Sequence, residues 1–276
     1  MSADRAEVES GEDSPRKGRR LKLMESYGAF SDEHQAFVES LRATVPYLPE
    51  LQPYTVLVGG LSPGVIDYSD ALYGRFPLLV GIVLAMTFLI LMMFFRSVLL
   101  PAKAIVLNLV TVLATYGALV LIFEYGLGAG LIGLEPQGKL FVVTPALLFV
   151  ILFSLSTDYE VFMLSRVKEN FDRSGNNEEA VASGLQSTAR VITAAGLVLV
   201  GTFATFGASR IIFLKELGLG LAIGVLLDTT IVRLVLVPAT MRLMGSANWW
   251  MPAWLERIVP ELREAPAPEP VVAPSD

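Results

Sequence analysis

Residues 140–164 read LFVVTPALLFVILFSLSTDYEVFML, an apolar run of bilayer length that carries an acid near its far end. A helix needs about 20 mostly apolar residues to cross a hydrocarbon core. An Asp at bilayer depth costs about 2.5–3.5 kcal/mol on insertion scales, so such residues face a bundle interior and are functional by default. Asp158 is therefore a candidate proton carrier, because desolvation favours the neutral form of a carboxyl group. Ser154 lies four residues earlier, on the same helical face, and Tyr159 adds a hydroxyl next door. Glu160 sits near the inner end of the run and reads as a helix-end or loop partner.

Similar runs lie on both sides. Phe76–Phe95 carries no charge; Pro101–Phe123 follows after a short turn at Arg96 and Ser97; Val191–Ala208 and Leu217–Val237 complete a set of five. The chain as a whole is 53% hydrophobic and 17% charged, against about 45–50% and about 25% for soluble domains. The fold class expected is an all-α integral membrane bundle of five transmembrane helices. A small partial α+β extracytoplasmic segment is expected ahead of it. There Ser31–Thr44 reads as a helix with Phe37 and Leu41 at i,i+4, Tyr54–Val58 as a strand closed by Gly59 and Gly60, and Val65–Arg75 as a helix running into the first span. Residues 1–20 and 264–276 read as disordered, and 21–75 as the extracytoplasmic segment.

Basic residues near the span ends set the orientation. Arg96, Lys103, Arg166, Lys168, Arg173, Arg190 and Arg242 collect on one side, against Arg75, Lys139, Arg210 and Lys215 on the other. The richer side is expected to be cytoplasmic, with the C-terminus inside and residues 1–75 outside. Arg166–Arg190 reads as a polar cytoplasmic loop whose Glu178–Gln186 part is helical. Residues 246–263, with Trp249, Trp250 and Trp254, read as a helix lying in the membrane interface.

A second acid, Asp228, falls within the fifth span. Gly220 and Gly224, eight and four residues before it, form a small-residue stripe that lets a neighbouring helix approach closely. Asn108, Thr111 and Thr115 make a polar stripe on the second span. At 1.5 Å per residue, both Asp residues lie roughly 9–15 Å from the cytoplasmic ends of their helices. The structural alternative is that each Asp merely pairs with a nearby donor; for Asp228 that donor is Arg233. Cysteine is absent and His34 is the lone histidine, so thiolate chemistry is excluded and no metal cluster is expected. No cofactor is expected either, since there is no Gly-rich Walker loop. The short cluster Arg16–Arg20 does not suggest nucleic acid.

The string SLSTDYEVFMLSRVKENFDRSGNNEEAVASGLQSTARVITAAG, together with FRSVLLPAKAIVLNL, GLGLAIGVLLDTTIVRLVLVPATMRLMG and NWWMPAWLERIVP, resembles the MMPL family of the RND superfamily. The resemblance covers about residues 31–263. It implies a twelve-span transporter of two repeats in a bacterial cell membrane, with a porter domain after the first span of each repeat. It also implies export of lipids or hydrophobic drugs driven by protons, a proton relay at Asp158 and Tyr159, and a matching acid at Asp228. Five spans correspond to one repeat lacking its first helix, with the end of one porter domain. A truncated gene product, or one half of a split transporter with a second chain, is therefore expected. The alternatives are a non-transporting membrane scaffold and an intramembrane aspartyl protease, although the latter's Gly-x-Gly-Asp element is missing because Val-Leu-Leu precedes Asp228.

Overall fold

The computed structural model describes residues 7–9, 20–22, 32–49, 57–134 and 138–257. The chain divides into two compact units, Met1–Arg75 and Phe76–Asp276.

In the first unit, β1 (Glu7–Glu9) pairs antiparallel with β2 (Arg20–Lys22) over three residue pairs, and no third strand joins them among the described residues. Helix α1 spans Asp32–Thr44. It buries Val38, whereas Phe37, expected on the packed face, is exposed. Arg42 grips Asp67 through two bonds of 2.5 and 2.8 Å and reaches the Val58 carbonyl at 3.4 Å. The partial α+β segment is not supported. Leu57 and Val58, the described part of the expected strand Tyr54–Val58, are not in a strand, and α2 begins at Leu61. Ser31 and residues 54–56 lie outside the described residues.

The second unit is helical, and among the described residues five helices are long and apolar enough to cross a membrane. They are α2 (Leu61–Phe95), α3 (Leu99–Phe123), α4 (Thr144–Ser174), α5 (Asn177–Ala204, continued by a 3-10 turn over Thr205–Ala208), and α6 (Ile212–Leu227) with its extensions. A π-helical segment, Asp228–Leu236, follows α6 and leads into α7 (Val237–Met244). Two apolar clusters hold the bundle. One gathers Leu91, Phe95, Leu100, Leu164, Ile192 and Met241; the other gathers Leu119, Phe149, Leu152, Phe153, Leu221 and Val225.

The expected cytoplasmic loop Arg166–Arg190 is instead a tight hairpin of two long helices. Ion pairs at helical spacing, Lys168–Asp172 at 2.7 Å and Arg166–Glu169 at 2.9 Å, with Arg173 also on Glu169, carry α4 past the apolar run. Gly175 then closes the helix at φ 68°, the left-handed conformation that glycine adopts without a Cβ clash. Asn176 starts α5 by accepting from the backbone N–H groups of Glu178 and Glu179. Close approach of α4 and α5 requires Gly184: a Cβ there would lie 3.0 Å from the Val167 backbone.

The expected interfacial helix over 246–263 is also broken. Gly245–Trp249 forms a 3-10 turn, Pro252 interrupts, and α8 is only Ala253–Glu256; residues 258–263 are outside the described set. Trp250 and Trp254 are exposed, but Trp249 stacks on Phe171 at 4.6 Å and donates to Asn177. Ser97 and the buried Asn248 tie the α2–α3 turn to this region through a 2.6 Å bond.

Candidate functional site

The π segment creates the site. A π-helix closes i→i+5 bonds rather than i→i+4, and such turns concentrate at functional positions. Here it brings Arg233 back over Asp228, five residues earlier, so that Nε donates to Oδ2 at 2.8 Å. In a regular α-helix residues three and four apart face each other, so this register is what closes the pair. Both side chains are buried, Asp228 at 2% and Arg233 at 1% exposure. Arg233 also donates to the carbonyl of Ser156 on α4, and its guanidinium lies 5.4 Å from the centroid of the Tyr159 ring. Planar guanidinium groups suit such mixed demands, binding carboxylates and lying over aromatic faces.

Around this pair the α3–α4–α6 interface places two further charged residues. Glu160 is 2% exposed, its Oε1 has no hydrogen-bond partner, and it senses Lys103, Arg233 and Asp228. Lys103 projects from α3 and its Nζ is likewise buried without a partner. Asp228 Oδ1 and Arg233 Nη1 also lack partners. Two formal positive and two formal negative groups thus share one buried interface, where electrostatic interactions are strong and unmatched groups costly.

The sequence-derived candidates separate in space. Asp228 lies in the cluster, in the ion pair that the structural alternative named. Asn108 is buried beside Glu160 and donates to Thr157 at 3.3 Å. Thr111 and Thr115 are buried but bond their own helix, to the carbonyls of Leu107 and Thr111. Gly224 faces Leu152 and Thr115, where a Cβ would lie 2.5 Å from Leu152 Cδ2; Gly220 faces Leu148 and Leu119. Asp158 and Ser154, by contrast, are exposed on the outer face of α4, and Tyr159 is half-buried. The shielding expected for Asp158 is not supplied by this chain's described helices. An exposed Asp158 and an ion-paired Asp228 also do not form the proton-sharing dyad that an aspartyl protease needs.

Glu160 is the residue that sequence reading assigned to the helix end. Glu160 follows Asp158 by two residues, about 200° around a helix. With Ser154 and Asp158 on one face, Glu160 had to lie near the opposite one. Which face the other helices cover is not written in the local pattern.

Five helices of membrane-crossing length and apolarity among the described residues, with an acid–base cluster between three of them, define a multi-pass membrane protein with ionisable groups inside its spans, where ion and substrate pathways are found. The MMPL family model matches residues 22–268, and the chain belongs to that family. It is 37% identical over 205 residues to the heme uptake protein MmpL11 of Mycobacterium tuberculosis, covering 74% of this chain and 21% of that protein. It is 35% identical over 233 residues to the mycolic acid-containing lipids exporter MmpL11 of Mycolicibacterium smegmatis, covering 84% and 24%. It is 38% identical over 218 residues to the trehalose monomycolate exporter MmpL3 of the same organism, covering 78% and 21%. The chain thus spans about a fifth to a quarter of the length of these relatives.

Proposed function

We propose that the chain is the membrane-embedded C-terminal part of a proton-motive-force-driven exporter of lipids or other hydrophobic molecules. It lies in a bacterial cell membrane with the C-terminus cytoplasmic. The observation that carries this reading is the buried cluster that Lys103 of α3 and Glu160 of α4 form with Asp228 and Arg233 of the π-helical segment. Charged groups at that depth need a reason, and proton transfer supplies one. Protonation of a cluster carboxylate changes the charge balance that fixes Arg233 between Asp228 and Ser156, and thereby biases how α4 packs on α6. The relatives' names, two lipid exporters and a heme uptake protein, support a large hydrophobic cargo.

Asp158 and Tyr159 enter the relay through the outer face of α4. Ser154 and Asp158 make a polar stripe at span depth, and lipid is a poor neighbour for it. A helix from the remainder of the transporter, whether on the same polypeptide or a second chain, covers the stripe. Energy supports two repeats acting together. One charge crossing 100 mV yields about 2.3 kcal/mol, whereas shifting a two-state equilibrium from 1:99 to 99:1 takes about 5.5 kcal/mol. With Asp158 uncovered, this chain alone is expected to act as a membrane scaffold without pumping.

The test is made in the complete transporter in vesicles carrying a proton gradient. Asp158→Asn and Asp228→Asn are each expected to abolish gradient-dependent export while leaving cargo binding in place. Export that keeps its dependence on the gradient in both variants would refute the relay.

A further inference from the structure

One buried carboxylate takes no part in the cluster. Glu216, in the second turn of α6, is 0% exposed. Its Oε2 accepts two hydrogen bonds at the start of α4, from the Phe141 N–H at 2.9 Å and the Thr144 hydroxyl at 2.7 Å. Its Oε1 is buried without a hydrogen-bond partner. A carboxylate can accept at both oxygens, whereas a carboxylic acid accepts at its carbonyl oxygen and carries a proton on the other. Both bonds here fall on one oxygen, so the same contacts serve either protonation state, and Oε1 is the atom left to take the proton. The neighbours that act on the carboxyl group are Thr144 and Phe141, both uncharged. Lys215 adjoins Glu216 in sequence and Lys139 lies two residues before Phe141; what acts on the Glu216 carboxyl is its burial, Thr144 and Phe141.

The position of Glu216 gives this arrangement a use. It precedes Asp228 by twelve residues on one helix, roughly 18 Å at 1.5 Å per residue. Between them, Gly220 receives Leu148 and Leu119, both fully buried, and Gly224 receives Leu152 and Thr115. Thr115, Thr111 and Asn108 then continue along α3 toward Glu160 and the Asp228–Arg233 pair. From one end to the other, the α3–α4–α6 interface reads as an acid, an apolar layer, a hydroxyl and amide stripe, and an acid–base cluster.

We propose that Glu216 is the proton-loading group at the end of the bundle opposite the cluster, and that the leucine layer on Gly220 is the barrier separating the two. This rests on the proton-driven reading and its orientation, which put Glu216 on the extracytoplasmic side. When the Phe141–Thr144 end of the bundle admits water, a hydronium ion gives its proton to Oε1, forming the O–H bond and leaving water. When Leu148 and Leu119 part, that O–H breaks and the proton passes through admitted water to Asp228 Oδ1, an atom without a hydrogen-bond partner.

The test uses the full chain in phosphatidylglycerol–phosphatidylethanolamine vesicles. Infrared difference spectra after an acid jump are expected to show a carboxylic-acid carbonyl band. That band should shift when glutamate is carboxyl-13C labelled, persist in Glu160→Gln and Asp228→Asn, and vanish in Glu216→Gln. Leu148→Ala is expected to speed acidification of a trapped pH dye, and Glu216→Gln added to it should remove the gain. A band that does not shift with labelled glutamate would overturn the proposal without any variant having to fold. So would a Leu148→Ala leak indifferent to Glu216→Gln. Export insensitive to Asp158→Asn and Asp228→Asn would instead sink the relay, and leaves the Glu216 band readable on its own.

Discussion

Replacing Asp228 by Asn keeps shape and removes one charge from a buried site. Arg233, 1% exposed, would lose the carboxylate on its Nε while its Nη1 already lacks a partner. Breaking a buried pair from one side costs about 3–5 kcal/mol, because the surviving charge stays buried. The Arg233 contacts to the Ser156 carbonyl and the Tyr159 ring remain, as does Glu160 nearby, so the lower part of that range is expected. At about 2–4 °C per kcal/mol for a chain of this size, Asp228→Asn should lower Tm by about 6–12 °C in detergent micelles. Arg233→Met should destabilise comparably by stranding Asp228. The double variant Asp228→Asn with Arg233→Met removes both charges and should recover much of the loss, since neither charge is then left buried without its partner. Thermal unfolding of all four proteins, followed by circular dichroism, gives the coupling directly. Singles that add up to the double, with no coupling beyond about 0.5 kcal/mol, would show that the pair is not closed as described.

Further outcomes follow from other parts of the bundle. Gly184→Ala should destabilise by about 1–3 kcal/mol, because its Cβ would meet the Val167 backbone. Gly201→Ala, with open space around it, should be neutral or slightly stabilising by the same thermal assay. Asn176→Ala removes the side-chain cap of α5 and should cost about 1 kcal/mol, visible as faster amide exchange at Glu178 and Glu179. Asp158→Asn should leave the stability of this chain within about 0.5 kcal/mol of wild type, as expected for an exposed position; a large Tm loss would place Asp158 in a structural contact.

The amino-acid sequence determined the five helices that, among the described residues, are long and apolar enough to cross a membrane, because each announces itself in a continuous run of its own residues. The Arg96–Ser97 turn and the acids within the runs were legible for the same reason. Which acid faces inward was not. Asp158 and Glu160 sit two residues apart on α4, and local pattern treats both as polar interruptions of one run. Only the packing of α3 and α6 against a particular side of α4 buries Glu160 and leaves Asp158 exposed. The Asp228–Arg233 pair was visible as a possible partnership, but its closure depends on a π turn that no spacing rule announces. The helical part expected at Glu178–Gln186 lies within α5, but the continuation of α4 to Ser174 was not legible, because its charges look like solvated linker until their i,i+4 partners are placed. Glu216 belongs to the same class. Its role depends on Phe141 and Thr144, over 70 residues away in sequence, and a contact across helices exists only once the bundle has assembled.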